Sequence, residues 1–445
     1  MAELLFTQYN PRSLLQAIFI DPEKMLVEDS LWLCAWCYKC FNRCPQGLKP
    51  PEIFQLLKTK AVKRGLFKGF KEAVKKIRNS IPLPVICLYT CFHPERAEMD
   101  SKLFAEALEE LNTRRKLKKR KKTAIHKEKV AVIGSGPAGL TAAFDLAEMG
   151  YPVTMFEALN EAGGMLRKGM PEYRLPRKAL RDEIRYLKTL GVKIKTKTRV
   201  GKDVSFNDLW RNEFKALFIA VGAHKSRELG IEGEGLEGVV DALDFLWKVN
   251  MKREVNLGYK VGVVGGGNVA IDAARIALHQ GAKEVMILYR RSREEMPANP
   301  WEIIEAEKEG VSIEFLVVPK KIMGQKGRIT GVECFKTQLG EPDETGRRRP
   351  IPVPGSEFFL EFDTIIVAIG EIAETTFLPA EVETYKGKIL VDPINMKTSM
   401  KGVFAGGDAV TGPATVIEAI LAGKKAAFSI DQYLTETKNR EDTAW

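Results

Sequence analysis

Two hydrophobic periods alternate along most of this chain. Short, almost wholly apolar runs rich in β-branched residues occur at Val130–Ile133, Val153–Phe156, Ala216–Val221, Val261–Val264, Val285–Tyr289 and Thr364–Ile369. Runs of that length without polar alternation are the mark of strands buried on both faces of a parallel sheet. Leu140–Met149 and Leu180–Leu190 carry apolar residues at helical spacing, Val192–Thr196 reads as a strand, and a further helix follows Thr415. Before residue 110 the pattern changes. Ile53, Leu56, Leu57 and Ala61 sit at helical spacing within Pro51–Lys76, which predicts short helices.

At two places a buried strand runs directly into a glycine turn and then a helix. The first is Gly134-Ser-Gly136-Pro137-Ala138-Gly139, with Glu157 closing the next apolar run. This is the dinucleotide fingerprint in its required context: Gly134 permits the turn, Gly136 lets backbone approach a pyrophosphate at the helix N-terminus, and Gly139 lets helix pack on strand. Glu157 is placed to accept from a ribose hydroxyl. The second is Gly265-Gly-Gly267-Asn268-Val269-Ala270, whose third small residue is alanine. Its following strand ends not on an acid but on Arg290 and Arg291, with Arg293 close behind. Guanidinium groups match a phosphate in bidentate fashion, so a ribose 2′-phosphate, and hence NADPH over NADH, is expected there. The alternative is arginine on a solvated surface.

Two further glycine clusters complete the pattern. Glu161–Pro176, with Gly163, Gly164, Met165, Leu166 and Arg174, is an extended loop whose backbone N–H groups can lie along a flavin and its phosphates. The strands near 216 and 364 end at Gly222 and Gly370, where a dinucleotide can lie close. Gly406-Gly407-Asp408-Ala follows, then the helix at Thr415. Asp408 can hydrogen-bond a ribityl hydroxyl, and the helix N-terminus can stabilise negative charge on a reduced flavin.

Six of the seven cysteines lie in the first 91 residues. Cys34-x2-Cys37-x2-Cys40-x3-Cys44-Pro is the ferredoxin-type iron–sulfur run. Zinc is the competing ligand, but cysteines this tightly spaced do not form the paired knuckles of zinc sites. Cys87-x3-Cys91 is a second group, with Glu95 a candidate non-cysteine ligand or a surface carboxylate. One or two [4Fe-4S] clusters are therefore expected. Cys334 alone lies in the remaining sequence and reads as a core residue. With no second cysteine beside it, dithiol chemistry is argued against. His93, His126, His224 and His279 are scattered, and no Ser/His/Asp constellation is present, so catalysis belongs to cofactors rather than to catalytic side chains.

Of the net charge of +11, a net +9 lies in Arg114–Lys129. That segment reads as a solvated basic linker or a docking site for an acidic partner. It has no interleaved aromatic residue, so nucleic acid is not expected. No apolar stretch is long enough for a membrane span, and the first residues lack a basic n-region, so a cytoplasmic location is expected.

The wording of Leu83–Glu95, Gly163–Pro176 and Tyr289–Pro297 closely resembles the glutamate synthase small (beta) subunit family, while Cys34–Gly47 resembles the iron–sulfur subunit of heterodisulfide reductases. The former family has further cysteines where Glu95 and later residues stand here. The resemblance implies an α/β fold of two Rossmann-like domains, the NADPH domain inserted in the FAD domain, preceded by a small α-helical iron–sulfur domain. The expected divisions are 1–110 (iron–sulfur), 111–128 (linker), 129–250 and 351–445 (FAD), and 251–350 (NADPH). It also implies an electron-input module, passing electrons from NADPH through FAD and iron–sulfur to an accepting protein subunit. A free-standing NAD(P)H diaphorase or flavin reductase and a non-catalytic scaffold for an acidic partner are the alternatives.

Overall fold

A computed structural model describes residues 9–117, 125–343 and 346–442, without the side chains of residues 42, 95, 114–117 and 438–442. The side chains of the basic run 114–122 and of Glu95 thus lie outside the described residues. The N-terminal part is helical: α1 (Pro11–Ile20), α2 (Pro50–Lys63), α3 (Lys68–Ser80) and α4 (Ser101–Leu117), with single turns between them. The helical stretch expected over 51–76 is two helices, because the chain turns at Gly65 with a positive φ of 68°. Helix α3 buries Phe70, Ala73, Val74 and Ile77, one apolar face at a spacing of three and four.

From residue 129 the chain alternates. β1 (Lys129–Ile133), α5 (Pro137–Met149), β2 (Val153–Phe156), α6 (Arg177–Thr189), β3 (Lys193–Lys195) and β4 (Phe214–Ile219) are followed by β5 (Val239–Asp241), α7 (Ala242–Asn250), β6 (Lys260–Val264), α8 (Asn268–His279), β7 (Glu284–Tyr289), α9 (Pro300–Lys308) and β8 (Ser312–Phe315). Four strands then pair antiparallel: β9 (Val317–Gln325), β10 (Arg328–Pro342), β11 (Arg348–Pro352) and β12 (Phe358–Glu361). β13 (Thr364–Val367), β14 (Val403–Ala405) and the long α10 (Val416–Asp442) finish the fold.

Two parallel five-stranded sheets result. The first has the order β14-β4-β1-β2-β3, the second β5-β13-β6-β7-β8. Both central strands are buried from their second residue on, as the unbroken apolar runs require. The chain divides into two compact units, 1–166 with 173–223 and 373–445, and 167–172 with 224–372. The second unit is therefore inserted in the first. It extends beyond the expected 251–350 on both sides, because β5 and β13 hydrogen-bond into the second sheet, Val367 opposite Asp241. The helical N-terminal region belongs to the first unit. Cys334 lies in the core of the second unit, fully buried, and burial pushes its thiol up to about 12.

Candidate functional site: two nucleotide cradles and a cysteine loop

The first cradle forms where β1 meets α5. At Gly134 φ is +102°, and a Cβ there would lie 2.4 Å from the Ala220 carbonyl oxygen, so only glycine lets the turn close against β4. At Gly136, the residue preceding α5, a Cβ would meet nothing within 4 Å, and no side chain caps the helix. The first-turn N–H groups thus have no side-chain cap, and with the positive end of the helix dipole behind them they offer the chemistry a pyrophosphate needs. Pro137 begins the helix, and Ala138 and Gly139 are buried against the sheet.

Glu157 braces this turn. One carboxylate oxygen accepts from the Ser135 N–H (3.2 Å) and hydroxyl, and the other from the Leu159 N–H at 2.8 Å. The Ser135 hydroxyl in turn accepts from the Gly163 N–H at 2.9 Å. Gly164 packs so closely that a Cβ would fall 2.7 Å from the Gly136 Cα. The loop after residue 161 is thereby laid on the glycine turn. Ser135, the link between the two, carried no sequence signal. Leu166 is buried and its carbonyl accepts from Arg177 at 2.9 Å, while Met165 and Arg174 are half-buried.

The chain returns to the same place at residues 407–423. A Cβ on Gly407 would lie 3.0 Å from the Ala138 Cβ, and one on Gly423 would lie 2.3 Å from the Ala138 carbonyl oxygen. Asp408 therefore starts its short helix beside the first turn of α5. Thr415 heads α10: its N–H and hydroxyl both donate to Glu418 (3.0 and 2.8 Å), whose own N–H donates back to the Thr415 hydroxyl at 3.4 Å. Gly222 follows β4 and is half-buried.

The second cradle repeats the design. A Cβ on Gly265 would lie 2.1 Å from the Ala368 carbonyl oxygen, whereas Gly267, before α8, has nothing within 4 Å and no side-chain cap. Asn268 accepts from the Asn299 N–H at 2.9 Å, Val269 is half-buried and Ala270 fully buried. Gly370 is half-buried beyond β13. At the end of β7 the two expected arginines part. Arg290 is exposed. Arg291 is buried, donating to the Arg348 carbonyl at 2.6 Å and to Asp343 at 2.6 Å.

In the cysteine loop Trp36 and Tyr38 both adopt left-handed backbone (φ 50° and 53°), coiling the chain between Cys34 and Cys40. The thiols of Cys34, Cys37 and Cys40 come near enough to influence one another. Burial first, and then the negative charge of its neighbours, pushes Cys40 up to about 11 and raises Cys37. The buried Tyr9 hydroxyl hydrogen-bonds Cys34. Cys44 is half-buried four residues on. Cys87 and Cys91 form a separate buried pair whose thiols hydrogen-bond, burial holding Cys87 well above its ordinary value. Three neighbouring soft thiols suit an iron–sulfur centre, whose positive charge would reverse these upward shifts. Among the described residues, however, no group of three or more Cys, His, Asp or Glu is arranged to hold a single metal ion.

The cysteine region is fastened to the first cradle's unit at two points that sequence patterns miss. Lys39, between Cys37 and Cys40, ion-pairs with Glu418 at the head of α10. The Val85 N–H, just before Cys87, donates to Glu183 of α6 at 3.0 Å.

Residues 128–423 match the pyridine nucleotide-disulphide oxidoreductase family. Over 432 residues the chain is 44% identical to the beta subunit of NADP(+)-dependent formate dehydrogenase from Moorella thermoacetica, covering 89% of this chain and 60% of that protein. It is 36% identical over 332 residues to the small chain of NADPH glutamate synthase from Escherichia coli, 69% of each chain being covered. In structure it is similar to FprA, a Mycobacterium tuberculosis oxidoreductase (TM-score 0.62, 18% identity, 71% of this chain and 86% of that one). The chain spans about three fifths of the length of the formate dehydrogenase subunit. It thus belongs to the pyridine nucleotide-disulphide oxidoreductase family, the NAD(P)H-dependent oxidoreductases, as a relative of the glutamate synthase small chains.

Proposed function

We propose that the chain is the electron-input subunit of an NADPH-dependent oxidoreductase, holding FAD in the first cradle, NADPH in the second and at least one [4Fe-4S] cluster on the cysteine loop, and delivering electrons to a partner protein. The observation that carries this is the Lys39–Glu418 ion pair, which fixes the Cys34–Cys40 loop to the helix heading the first cradle. The relatives named for NADP(+)-dependent formate dehydrogenase and NADPH glutamate synthase are each one chain of a larger enzyme, which supports a partner subunit. Bound FAD supplies the exchange between a two-electron donor and one-electron carriers.

The chain's own part is placement. The open first turn of α5 receives the pyrophosphate, and the Glu157–Ser135–Gly163 bonds keep that turn in shape. The head of α10 adds positive dipole, held in register by Thr415 and Glu418. Cysteines 34, 37, 40 and 44 are the cluster's thiolates, and Cys87, Cys91 and Glu95 are candidates for a second. The disulphide chemistry in the family's name is not retained, since the sequence from residue 129 on holds Cys334 alone and its thiol is buried.

The test is anaerobic purification followed by flavin and iron analysis and titration with NADPH. Stoichiometric FAD, about four iron atoms per cluster and bleaching of the flavin are expected. Flavin without iron would replace this reading with a free-standing flavin reductase, and a flavin that NADPH leaves oxidised would leave only a binding role.

A further inference from the structure

The ladder between β7 and β8 closes at Tyr289, opposite Phe315. Arg290 and Arg291 follow beyond it, so their carbonyls need donors from elsewhere. Both donors come from the antiparallel insertion and the turn that leads into it. The Arg290 carbonyl accepts from the Thr337 hydroxyl at 2.9 Å. The Arg291 carbonyl accepts from the Leu316 N–H at 3.2 Å. The two donors are themselves joined, the Thr337 N–H donating to the Leu316 carbonyl at 2.7 Å. Leu316 is the single residue between β8 and β9, and its left-handed backbone, φ 58°, turns the chain there. Its N–H thereby bonds to the end of β7 and its carbonyl to β10. Thr337 lies within β10, opposite Pro352 of β11, and is 5% exposed. A hydroxyl buried that deeply is costly unless it is bonded, and here its acceptor is the backbone of Arg290.

The arginine side chains at this strand end are set differently. Arg291 is buried, its Nε donating to the Arg348 carbonyl and its Nη2 to Asp343, each at 2.6 Å. Arg293 pairs with Glu307. Arg290 is exposed. Two residues before it the Leu288 carbonyl accepts from the Gly265 N–H at 3.1 Å, so Arg290 stands at the edge of the sheet where the second glycine turn lies. That is the carboxyl edge of the parallel strands, where a dinucleotide binds. A guanidinium on a long stem selects a phosphate well only when its own backbone is held in place.

We propose that Thr337 is a positioning residue for dinucleotide selection: by fixing the Arg290 carbonyl, its hydroxyl holds the Arg290 guanidinium where the adenosine 2′-phosphate binds. The inference rests on the reading that the second cradle takes NADPH with Arg290 on that phosphate. It gives the antiparallel insertion β9–β12 a part in choosing NADPH over NADH.

Calorimetric binding of 2′,5′-ADP and of 5′-ADP to the full chain tests it. Thr337→Val should weaken 2′,5′-ADP roughly 3- to 10-fold, the worth of one neutral hydrogen bond, and leave 5′-ADP unchanged. Thr337→Ala, which removes the hydroxyl and leaves a smaller side chain, carries the same expectation should the valine variant fail to fold. Thr337→Ser should restore the affinity. In an Arg290→Ala background, Thr337→Val should bring no further loss, because the two act through one contact. Equal losses for both nucleotides, or a further loss in that background, would overturn the inference and mark Thr337 as a fold residue. Unchanged 2′,5′-ADP binding in the Thr337 variants, with a loss in Arg290→Ala, would overturn it and leave the NADPH reading standing. A wild-type chain without preference for 2′,5′-ADP would remove the NADPH reading itself, and this assignment with it.

Discussion

A single carboxyl shows how neighbours on a sheet edge set a side chain's chemistry. Glu371 follows β13, and Asp241 ends the adjacent β5. Burial first, and the Asp241 charge second, push Glu371 up to about 7, with Arg227 acting in the opposite direction. Asp241 cannot turn away, because it caps α7 through the Asp244 N–H at 2.8 Å. Since the folded pKa lies above the ordinary value of 4.5, the unfolded chain releases this proton first as pH rises. The carboxyl's favourable contribution is therefore full below that ordinary value and lost as pH climbs through about 7. Thermal melts of the wild type should fall between about pH 5 and about pH 8, and Glu371→Gln should flatten that slope, gaining at most about 3 kcal/mol at the alkaline end. Parallel curves for the two proteins would show that the carboxyl is solvated after all.

Among elements, the contact between α5 and α10 decides whether the first cradle closes. Gly423 lets α10 approach until a Cβ would stand 2.3 Å from the Ala138 carbonyl oxygen and 2.9 Å from the Thr141 Cβ. Replacing a helical glycine by alanine ordinarily gains up to about 1 kcal/mol, but overpacking costs about 1–3 kcal/mol. Gly423→Ala should therefore lower stability by about 1–2 kcal/mol and loosen flavin retention, read as a lower melting temperature and flavin lost on gel filtration. A stabilised variant that keeps its flavin would mean the helices can part freely. This contact also marks the limit of what sequence discloses. Gly134–Gly139 and Gly265–Ala270 are legible because strand, turn and helix are consecutive, so local spacing carries the signal. The insertion is legible because the two halves of the first cradle carry separate glycine motifs. Ser135 and Glu418 are not, since each works through a partner remote in sequence and no period or spacing records such a pair. Arg291 has the same limit: its neighbours in sequence point to a phosphate, and spacing gives no sign of its bonds in space to Asp343 and Arg348.

At the scale of the molecule, the first compact unit holds both the cysteine loop and the first cradle, joined by Lys39–Glu418 and by Val85–Glu183. The ion pair is half in solvent, Lys39 46% and Glu418 19% exposed, so its worth to stability is under about 1 kcal/mol. Its value lies in position. Glu418 spends one oxygen on Thr415 and the other on Lys39, so one carboxylate sets both the head of α10 and the loop that carries Cys37 and Cys40. Breaking the pair frees the loop without touching the glycine turns or the second cradle. Lys39→Met should therefore leave the melting temperature and the rate of flavin reduction by NADPH near wild type, while on the proposed route electron delivery from flavin to a cluster on the cysteine loop slows. Stopped-flow absorbance for the first step and freeze-quench electron paramagnetic resonance for the second separate the two, and Lys39→Arg should restore the second. If both steps slow together, the pair holds the fold rather than the route. If neither changes, the cysteine loop is seated by Val85 and Glu183 alone.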